Sequence, residues 1–312
     1  MEYFNNDIKI DYLARDGGVE ALIELEKNVF INSQSMEAEI GKDISEWTGN
    51  ERLEFFKRLN TPSIVRLRNI NSRINSYHRY VREKKGAKLS PLGDLDFPLE
   101  TYESCIRKIE SINRYVTRSK LLEVIEESFV NACDKFIFLG LFEGIKGKNF
   151  EDICWLDYKR DFDFRNIKLK SGKIVRPSLE LVNYMKQSAD TYEYYAVSGK
   201  GERVFELIGE ESHVIKDMYN ASNPITSQQG GRAIYRKIIR QLKAIGYEKA
   251  WTANTIYESG MLHWVHTAAE KEKVPPEKIL HSENYMRDFS KTYNIVHDKP
   301  LFMLRYNSVY GS

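Results

Sequence analysis

The sequence has 312 residues, of which 42% are hydrophobic and 29% charged, and its formal net charge is +2. This length suits two domains that each bury a core, and the longest apolar run, 136–142, is too short to span a bilayer. No basic, apolar leader opens the chain, and Cys105, Cys133 and Cys154 lack the spacing of a disulfide framework or a zinc site. We therefore expect a cytoplasmic protein and exclude membrane, secreted and cysteine-zinc classes.

Charge is unevenly distributed along the chain. Residues 1–56 contain 5 Lys/Arg and 13 Asp/Glu, whereas residues 57–88 contain 10 and 1. Residues 89–312 are nearly balanced, with 32 and 31. Such segregation creates a local positive field that the net charge conceals, so residues 57–88 are a candidate surface for a polyanion.

A basic helix is predicted from Thr61. A capping residue and Pro62 precede an apolar stripe with helical spacing, formed by Ile64, Leu67, Ile70, Ile74, Tyr77 and Val81. Arginines lie on or beyond the edges of this stripe: Arg66, Arg68, Arg73, Arg79 and Arg82. Scattered charges usually form a solvated helix flank, but charges of one sign favour contact with nucleic-acid phosphates.

The stretch 86–98 concentrates Gly and Pro after this helix, which indicates a boundary between domains. We predict a helical N-terminal domain over 1–88, a linker over 89–98 and a second domain over 99–312. The acidic residues 1–56 either pack onto the first domain, modulate its field or contact a partner.

The second domain is predicted to alternate helices with short strands. Lys170-Ser171-Gly172-Lys173 is typical of a tight hairpin turn, here with lysines at its tip. The predicted elements are helices over 102–115, 119–142 and 179–188, a hairpin over 166–176, a strand over 202–208 and a strand-like tail over 301–306.

A second basic helix is predicted over 232–245. Arg232, Arg236, Arg240 and Lys243 share one face, and the apolar Ile234, Ile238, Leu242 and Ile245 lie on the other. No acidic residue occurs between positions 218 and 247. This face therefore favours phosphate contact over a merely soluble surface.

The order of these segments resembles the tyrosine recombinases, the phage integrase family. The basic segment from Thr61 to Lys84, which is predicted to be helical, resembles the family's N-terminal core-binding domain. Segments of the second domain resemble the catalytic domain in the same order: Leu139–Lys146, Lys170–Lys173, Thr252–Tyr257, His281-Ser282 and Thr292-Tyr293. The resemblance covers residues from about 50 to about 300 and implies an α+β, mainly α, fold in which a helical domain and a larger domain with a small antiparallel sheet close around DNA.

The resemblance implies a site that transfers a phosphoryl group through a tyrosine nucleophile, two arginines, a hairpin lysine and histidines. Guanidinium groups suit the developing phosphate charge because their planar fork engages two oxygens at once. The corresponding positions in this chain are Lys146, Lys170, Asn254, Tyr257, His281 and Tyr293. Lys146 and Tyr257 replace the two arginines, Asn254 replaces a histidine, and the interval from His281 to Tyr293 is a few residues longer than usual.

These departures imply a member that binds double-stranded DNA without cleaving it, because affinity is spread over many phosphate contacts. Degenerate members of the family act as regulators, so the expected function is a phage or prophage transcriptional repressor. We expect no cofactor, no metal and no membrane partner, and a homo-oligomer on DNA could form through the C-terminal tail. The predicted DNA-binding residues are Arg66, Arg68, Arg73, Arg79, Lys170, Arg232, Arg236 and Arg240.

Two other functions remain open from the sequence. An active recombinase could use Lys146 and Lys148 in place of the arginines. A protein-interaction module could use the acidic N-terminal segment and the apolar tail, with incidental basic faces. His263 and His266 lie one helical turn apart, but no third ligand accompanies them, so a metal site is not expected there.

Overall fold

The structure is a computed structural model, and it describes residues 3–15, 20–61, 63–85, 94–106, 114–198, 201–218 and 227–311. The chain divides into two compact units, 1–111 and 112–312. The fold is mainly helical with two small antiparallel sheets, as predicted. Most of the predicted linker, through residue 93, lies outside the described residues.

The first unit is built from helices. They are α1 (Asn6–Leu13), α2 (Glu20–Ile40), α3 (Gly49–Arg58), α4 (Ile64–Lys85) and α5 (Leu99–Ser104). The unit extends past the predicted boundary at residue 98 because α5 packs against α4. The Tyr102 ring on α5 lies 5.8 Å from that of Phe56 and 5.7 Å from that of Phe97, so it completes the aromatic core of this unit.

Helix α4 is the basic helix that the sequence predicts. Every member of its apolar stripe is buried, from Ile64 to Val81. Polar groups are buried beside it as well, and they are paired: Lys9 Nζ lies 2.6 Å from Glu37 Oε1. Because a buried charge is tolerated only when it is paired, this ion pair holds α1 and α2 together within the core.

The second unit contains ten further described helices: α6 (Arg118–Ser128), α7 (Ala132–Phe142), α8 (Glu151–Cys154), α9 (Tyr158–Asp161), α10 (Leu179–Asp190), α11 (Ser227–Ala244), α12 (Ala253–Glu272), α13 (Pro276–His281), α14 (Glu283–Thr292) and α15 (Lys299–Tyr310). Helix α7 is buried along its whole length and contacts α6, α10, α11 and α12. It therefore forms the centre of this unit.

The predicted helix over 119–142 is two helices, because the chain is extended at Phe129 and Asn131. The Asn131 side chain accepts a hydrogen bond from the Tyr195 amide and donates one to the Tyr195 carbonyl, both at 2.8 Å. These bonds to a distant strand favour the break. Of the predicted helix over 102–115, residues 107–113 lie outside the described residues.

Both predicted β-segments form. Strands β1 (Ile167–Lys168) and β2 (Ile174–Val175) pair as an antiparallel hairpin. A second sheet has the order β3-β4-β5, from β3 (Glu193–Ser198), β4 (Gly201–Ile208) and β5 (Asp217–Met218). The turn of the first hairpin is wider than the predicted two-residue turn, since the Leu169 amide donates to the Lys173 carbonyl.

The tail predicted as a strand over 301–306 is helical, as part of α15, so that prediction was wrong. Leu301, Phe302 and Tyr306 repeat with helical spacing and are buried, and α15 packs on α12. Asp298 caps the helix by accepting from the Leu301 amide at 3.0 Å. Among the described helices, none is long and apolar enough to cross a membrane.

Candidate functional site

Helix α11 displays an exposed basic stripe. Its members are Arg232, Arg236, Arg240 and Lys243, and the exposed Tyr235 and Ile239 lie between them. Within the described ranges, none of the four basic side chains has a hydrogen-bond or ion-pair partner. The opposite face, with Ile234, Ile238 and Leu242, is buried as the sequence predicts.

A buried polar cluster anchors the inner face of α11. Lys237 Nζ lies 3.6 Å from Asp134 Oδ1 and 3.4 Å from Cys133 Sγ. Gln241 Nε2 and the Tyr194 hydroxyl donate to Asp134 Oδ2, at 2.7 and 3.0 Å. The cluster pairs a half-buried charge on α11 with a buried one on α7, so it adds to the apolar residues that hold this face of α11 inward.

The N-terminal end of α11 lies against the loop that follows Lys146. A Cβ atom on Gly231 would lie 2.0 Å from the Asn149 carbonyl oxygen, so only glycine permits this approach. The end of α11 that precedes Arg232 is thus packed against Asn149, three residues after Lys146.

In the first unit, the predicted arginines of α4 differ in their surroundings. Arg66 and Arg68 are exposed. Arg73 Nη1 lies 3.8 Å from Glu26 Oε1, and Arg79 Nη1 lies 3.7 Å from Asp94 Oδ2. The last two cations are therefore partly neutralised by acidic groups of their own unit.

Part of the acidic N-terminal segment packs onto α4. Asp11 on α1 accepts a short hydrogen bond from the Tyr80 hydroxyl and lies 3.4 Å from Lys84 Nζ. Together with the contact between Glu26 and Arg73, this places acidic groups along one flank of α4. The positive field of the helix is consequently weaker on that flank.

In the second unit, two lysines meet at Tyr257. Lys146 Nζ lies 2.6 Å from Asn254 Oδ1 and 5.0 Å from the centre of the Tyr257 ring. Lys173 Nζ lies 3.4 Å from the Tyr257 hydroxyl and 2.7 Å from Asn294 Oδ1. This arrangement, the lysine pocket, brings together three of the predicted positions, Lys146, Asn254 and Tyr257.

The protonation equilibria of the lysine pocket reflect its burial. Burial lowers the pKa of Lys146, although Glu258 opposes this shift. Burial also lowers the pKa of Lys173, and the nearby Lys146 charge adds to that effect. Burial raises the pKa of Tyr257 to about 12, so at neutral pH its phenol is neutral, and its oxygen accepts from Lys173 Nζ.

Lys170, the predicted hairpin lysine, lies outside this pocket. Its ammonium is exposed and stands 4.9 Å from the centre of the Trp155 ring. The hairpin tip is held by Asp152, whose oxygens accept from the Ser171 amide at 2.9 Å and from the Ser171 hydroxyl at 2.8 Å. This anchor leaves Lys173, rather than Lys170, next to Tyr257.

The side chains of Tyr293 and His281 make hydrogen bonds to backbone carbonyls rather than to the groups of the lysine pocket. Tyr293 is buried and donates its hydroxyl hydrogen to the Phe142 carbonyl at 2.7 Å. Burial, first of all, raises its pKa well above the usual value. His281 is exposed, with Nδ1 2.7 Å from the Glu277 carbonyl oxygen of its own helix.

A cleft of about 400 Å³ opens beside Lys146. Its polar lining includes Asn254, Tyr257, Asn294 and Arg305, and its apolar lining includes Leu301 and Phe302 of α15. Arg305 Nη1 lies 3.3 Å from Glu258 Oε2, so one of the two basic groups here is already paired.

Candidate metal ligands in the described part of the chain already make hydrogen bonds within the protein. Asp157, Glu210 and His213 lie close together, but both Asp157 oxygens accept hydrogen bonds, from the Lys159 and Arg160 amides and from the Ser212 hydroxyl. The histidine pair noted in the sequence contacts tyrosine hydroxyls: His263 with Tyr310 at 3.3 Å and His266 with Tyr306 at 2.9 Å.

Sequence reasoning missed Lys173 and Asn294. The tip Lys-Ser-Gly-Lys presents a lysine on each side of the turn, and the choice between them depends on the contact of Ser171 with Asp152. Asn294 follows Tyr293 directly, and its amide donates to the Tyr257 hydroxyl at 3.1 Å. A polar residue adjoining the predicted nucleophile was the available signal.

Two family models match this chain, one in each unit. Residues 3–83 match the model "MrpR, N-terminal core-binding domain", and residues 115–309 match "MrpR, C-terminal catalytic domain". Among solved structures, the chain is similar to the crystal structure of XerA recombinase, with 13% identity and a TM-score of 0.37, over 96% of this chain and 91% of that one. Among curated proteins, none matches.

The two family models together span both units and follow the order that the sequence predicts. The protein therefore belongs to the MrpR family, with that family's N-terminal core-binding domain and C-terminal catalytic domain.

Proposed function

We propose that this protein binds double-stranded DNA as a transcriptional repressor and does not cut it, in the manner of the lysogeny repressor of SPβ-type prophages, which it resembles. The observation that carries the proposal is the exposed basic stripe of α11, which has no acidic partner in the described residues. Four cations on one helical face, with no acid from position 218 to 247, suit a phosphate backbone.

The absence of cleavage is part of the proposal. Lys146 and Tyr257 stand where the tyrosine recombinases that the sequence resembles have arginines, and neither offers the planar fork of a guanidinium. Losing one hydrogen-bond donor to the charge that develops in the transition state lowers the rate by on the order of 10²–10³, so losing two lowers it far more. The hydrogen bond from Tyr293 to Phe142 further supports the proposal, since it occupies the hydroxyl that the nucleophile would need free.

A salt titration with a random-sequence duplex tests the DNA-binding part. We expect affinity to fall steeply with ionic strength, because bound lysines and arginines release counterions from DNA. Arg236→Ala should weaken binding to all sequences alike and reduce the salt slope by about 1. Lys278→Ala, an exposed cation on α13, is the matched control and should bind as the wild type does. Affinity that stays flat from low to physiological salt would contradict the proposal.

An active recombinase is the second candidate, and the meeting of Lys146 and Lys173 at Tyr257 favours it. Incubation with a nicked duplex separates the two functions. The repressor proposal expects no covalent protein–DNA adduct. An adduct that forms with the wild type and disappears in Tyr293→Phe would establish cleavage instead. Genomic footprinting adds a further distinction, because repeated sites indicate a regulator and one attachment-like site indicates a recombinase.

A further inference from the structure

An exposed aromatic side chain directly precedes the basic β1–β2 hairpin of the second unit. Phe164 is 89% exposed, more than any other large hydrophobic residue in the described ranges. It lies in the turn between α9 and β1, next to Arg165. Residues 163–176 contain five Lys/Arg and one Asp/Glu, so this ring protrudes from a strongly cationic segment.

The backbone at Phe164 is as unusual as its exposure. Its φ is 64°, in the left-handed region that bulky residues rarely adopt. The turn is closed around it: the Asp163 amide donates to the Asn166 carbonyl at 3.1 Å, and Asp163 Oδ1 accepts from the Asn166 amide at 2.8 Å. Glycine or asparagine would close the same turn with less strain.

Two unfavourable features therefore coincide at one position. The left-handed backbone is strained, and the ring gains little from burial, since within the described residues its one aromatic contact is with Phe162 at 5.9 Å. Strain of this kind is typical of positions where a side chain is presented to a ligand. An aromatic ring among cations suits nucleic acid, since the cations bind phosphates and the ring stacks on a base.

We infer that Phe164 is a DNA contact, whose ring stacks on or wedges against a base step while the surrounding cations hold the phosphates. This inference rests on the proposed function and names a contact within it. The ligand is the apolar face of a base, which is exposed when a duplex is locally unstacked. Exposed cations follow the ring in the sequence: Arg165, Lys168, Lys170 and Arg176.

The test compares three variants of the full chain on a short fluorescent duplex of random sequence. Phe164→Asn removes the ring and relieves the left-handed backbone, so it should fold as well as the wild type. We expect about tenfold weaker binding with an unchanged salt slope, because no charge is lost. Phe164→Trp keeps an aromatic ring and should bind as tightly as the wild type.

Val130→Asn is the matched control, because Val130 is 70% exposed but lies outside the basic hairpin. It should bind as the wild type does. A second readout is the unwinding of relaxed closed-circular DNA, which insertion of a ring produces. Wild-type protein should unwind the circle, and Phe164→Asn should not.

The outcomes separate the two claims. If wild-type protein binds the duplex and Phe164→Asn binds equally well, or if Val130→Asn is weakened to the same extent, the role of Phe164 is overturned while DNA binding stands. If the wild type itself ignores duplex DNA, the proposed function fails, and this inference fails with it.

Discussion

At the scale of one residue, Tyr293 makes structural contacts with three parts of the second unit. Its hydroxyl donates to the Phe142 carbonyl, and its ring packs against Tyr257 and Phe289. Gly260 on α12 makes room for this contact, since a Cβ there would lie 1.6 Å from the same carbonyl oxygen. The hydroxyl thus joins α7 to the end of α14.

Tyr293→Phe should therefore affect stability and leave DNA binding unchanged. We expect the free energy of unfolding to fall by about 1 kcal/mol, because a buried carbonyl loses its donor. Urea denaturation measures the first effect, and a duplex titration measures the second. Reduced affinity with unchanged stability would place the hydroxyl in the DNA interface instead.

His263 predicts a pH dependence of stability. Burial, helped by the positive charge of Arg118, lowers its pKa from 6.5 to about 4. The folded protein therefore disfavours a proton that the unfolded chain accepts, so stability falls as the pH drops from about 6.5 towards 4. We expect a loss of about 1–2 kcal/mol from this residue, because its ring is only partly shielded from solvent.

The check on His263 is a comparison of unfolding curves across that pH range. His263→Phe removes the titrating group, so its stability should vary less with pH than that of the wild type. If His263 contributed nothing to the pH dependence of stability, the stabilities of the wild type and His263→Phe would vary with pH in parallel.

At the scale of the element, α11 has two faces with separate roles. Its outer face carries the basic stripe, and its inner face is held by the pair Lys237 and Asp134. Burial raises the pKa of Cys133, next to this pair, to about 11, which keeps its thiol neutral beside the lysine. Binding and anchoring can consequently be perturbed independently.

Asp134→Ala should destabilise the protein strongly. It leaves the Lys237 charge, whose side chain is only 17% exposed, without its carboxylate partner, and removing one member of a buried pair costs about 3–5 kcal/mol. Lys243→Ala, on the exposed face of the same helix, should change stability by less than about 0.5 kcal/mol but weaken DNA binding. Chemical denaturation followed by circular dichroism, with a parallel duplex titration, distinguishes the two variants. Equal stability losses would contradict the assignment of faces.

Elements with a strong periodic pattern were predictable from the sequence, and those decided by distant contacts were not. The apolar stripes of α4 and α11 repeat with helical spacing, and both are buried as expected. The tail over 301–306 is a short apolar run that suits a strand or a buried helix equally well. Its packing on α12 decides the outcome, and that contact joins residues far apart in sequence.

The candidate site, too, could be predicted from the sequence only in part. The positions of Lys146, Asn254 and Tyr257 could be predicted, because each belongs to a segment with a recognisable order in the chain. Lys173 could not be chosen over Lys170, because the choice depends on Asp152 holding Ser171 from another element.

At the scale of the whole molecule, the two units each present cations to solvent. Arg66 on α4 and Arg236 on α11 belong to different units. If both contact phosphates of one duplex, their contributions to the binding free energy should add, because residues that share no contact partner usually contribute independently.

A double-mutant cycle with Arg66→Ala and Arg236→Ala tests this expectation. Each single change should lower the salt slope by about 1, and the double change by about 2. Titrations of a labelled duplex at several salt concentrations measure the slopes. A double variant that behaves like Arg236→Ala alone would mean that α4 does not touch DNA.

The side chain of Asn131 has a consequence for how the molecule behaves when concentrated. Strand β3 lies at an edge of its sheet, where unpaired backbone groups invite another chain to add a strand. The Asn131 amide occupies both backbone groups of Tyr195, much as a neighbouring strand would. The Asn131 side chain thereby blocks strand addition by another molecule at Tyr195, and with it the aggregation that such pairing produces.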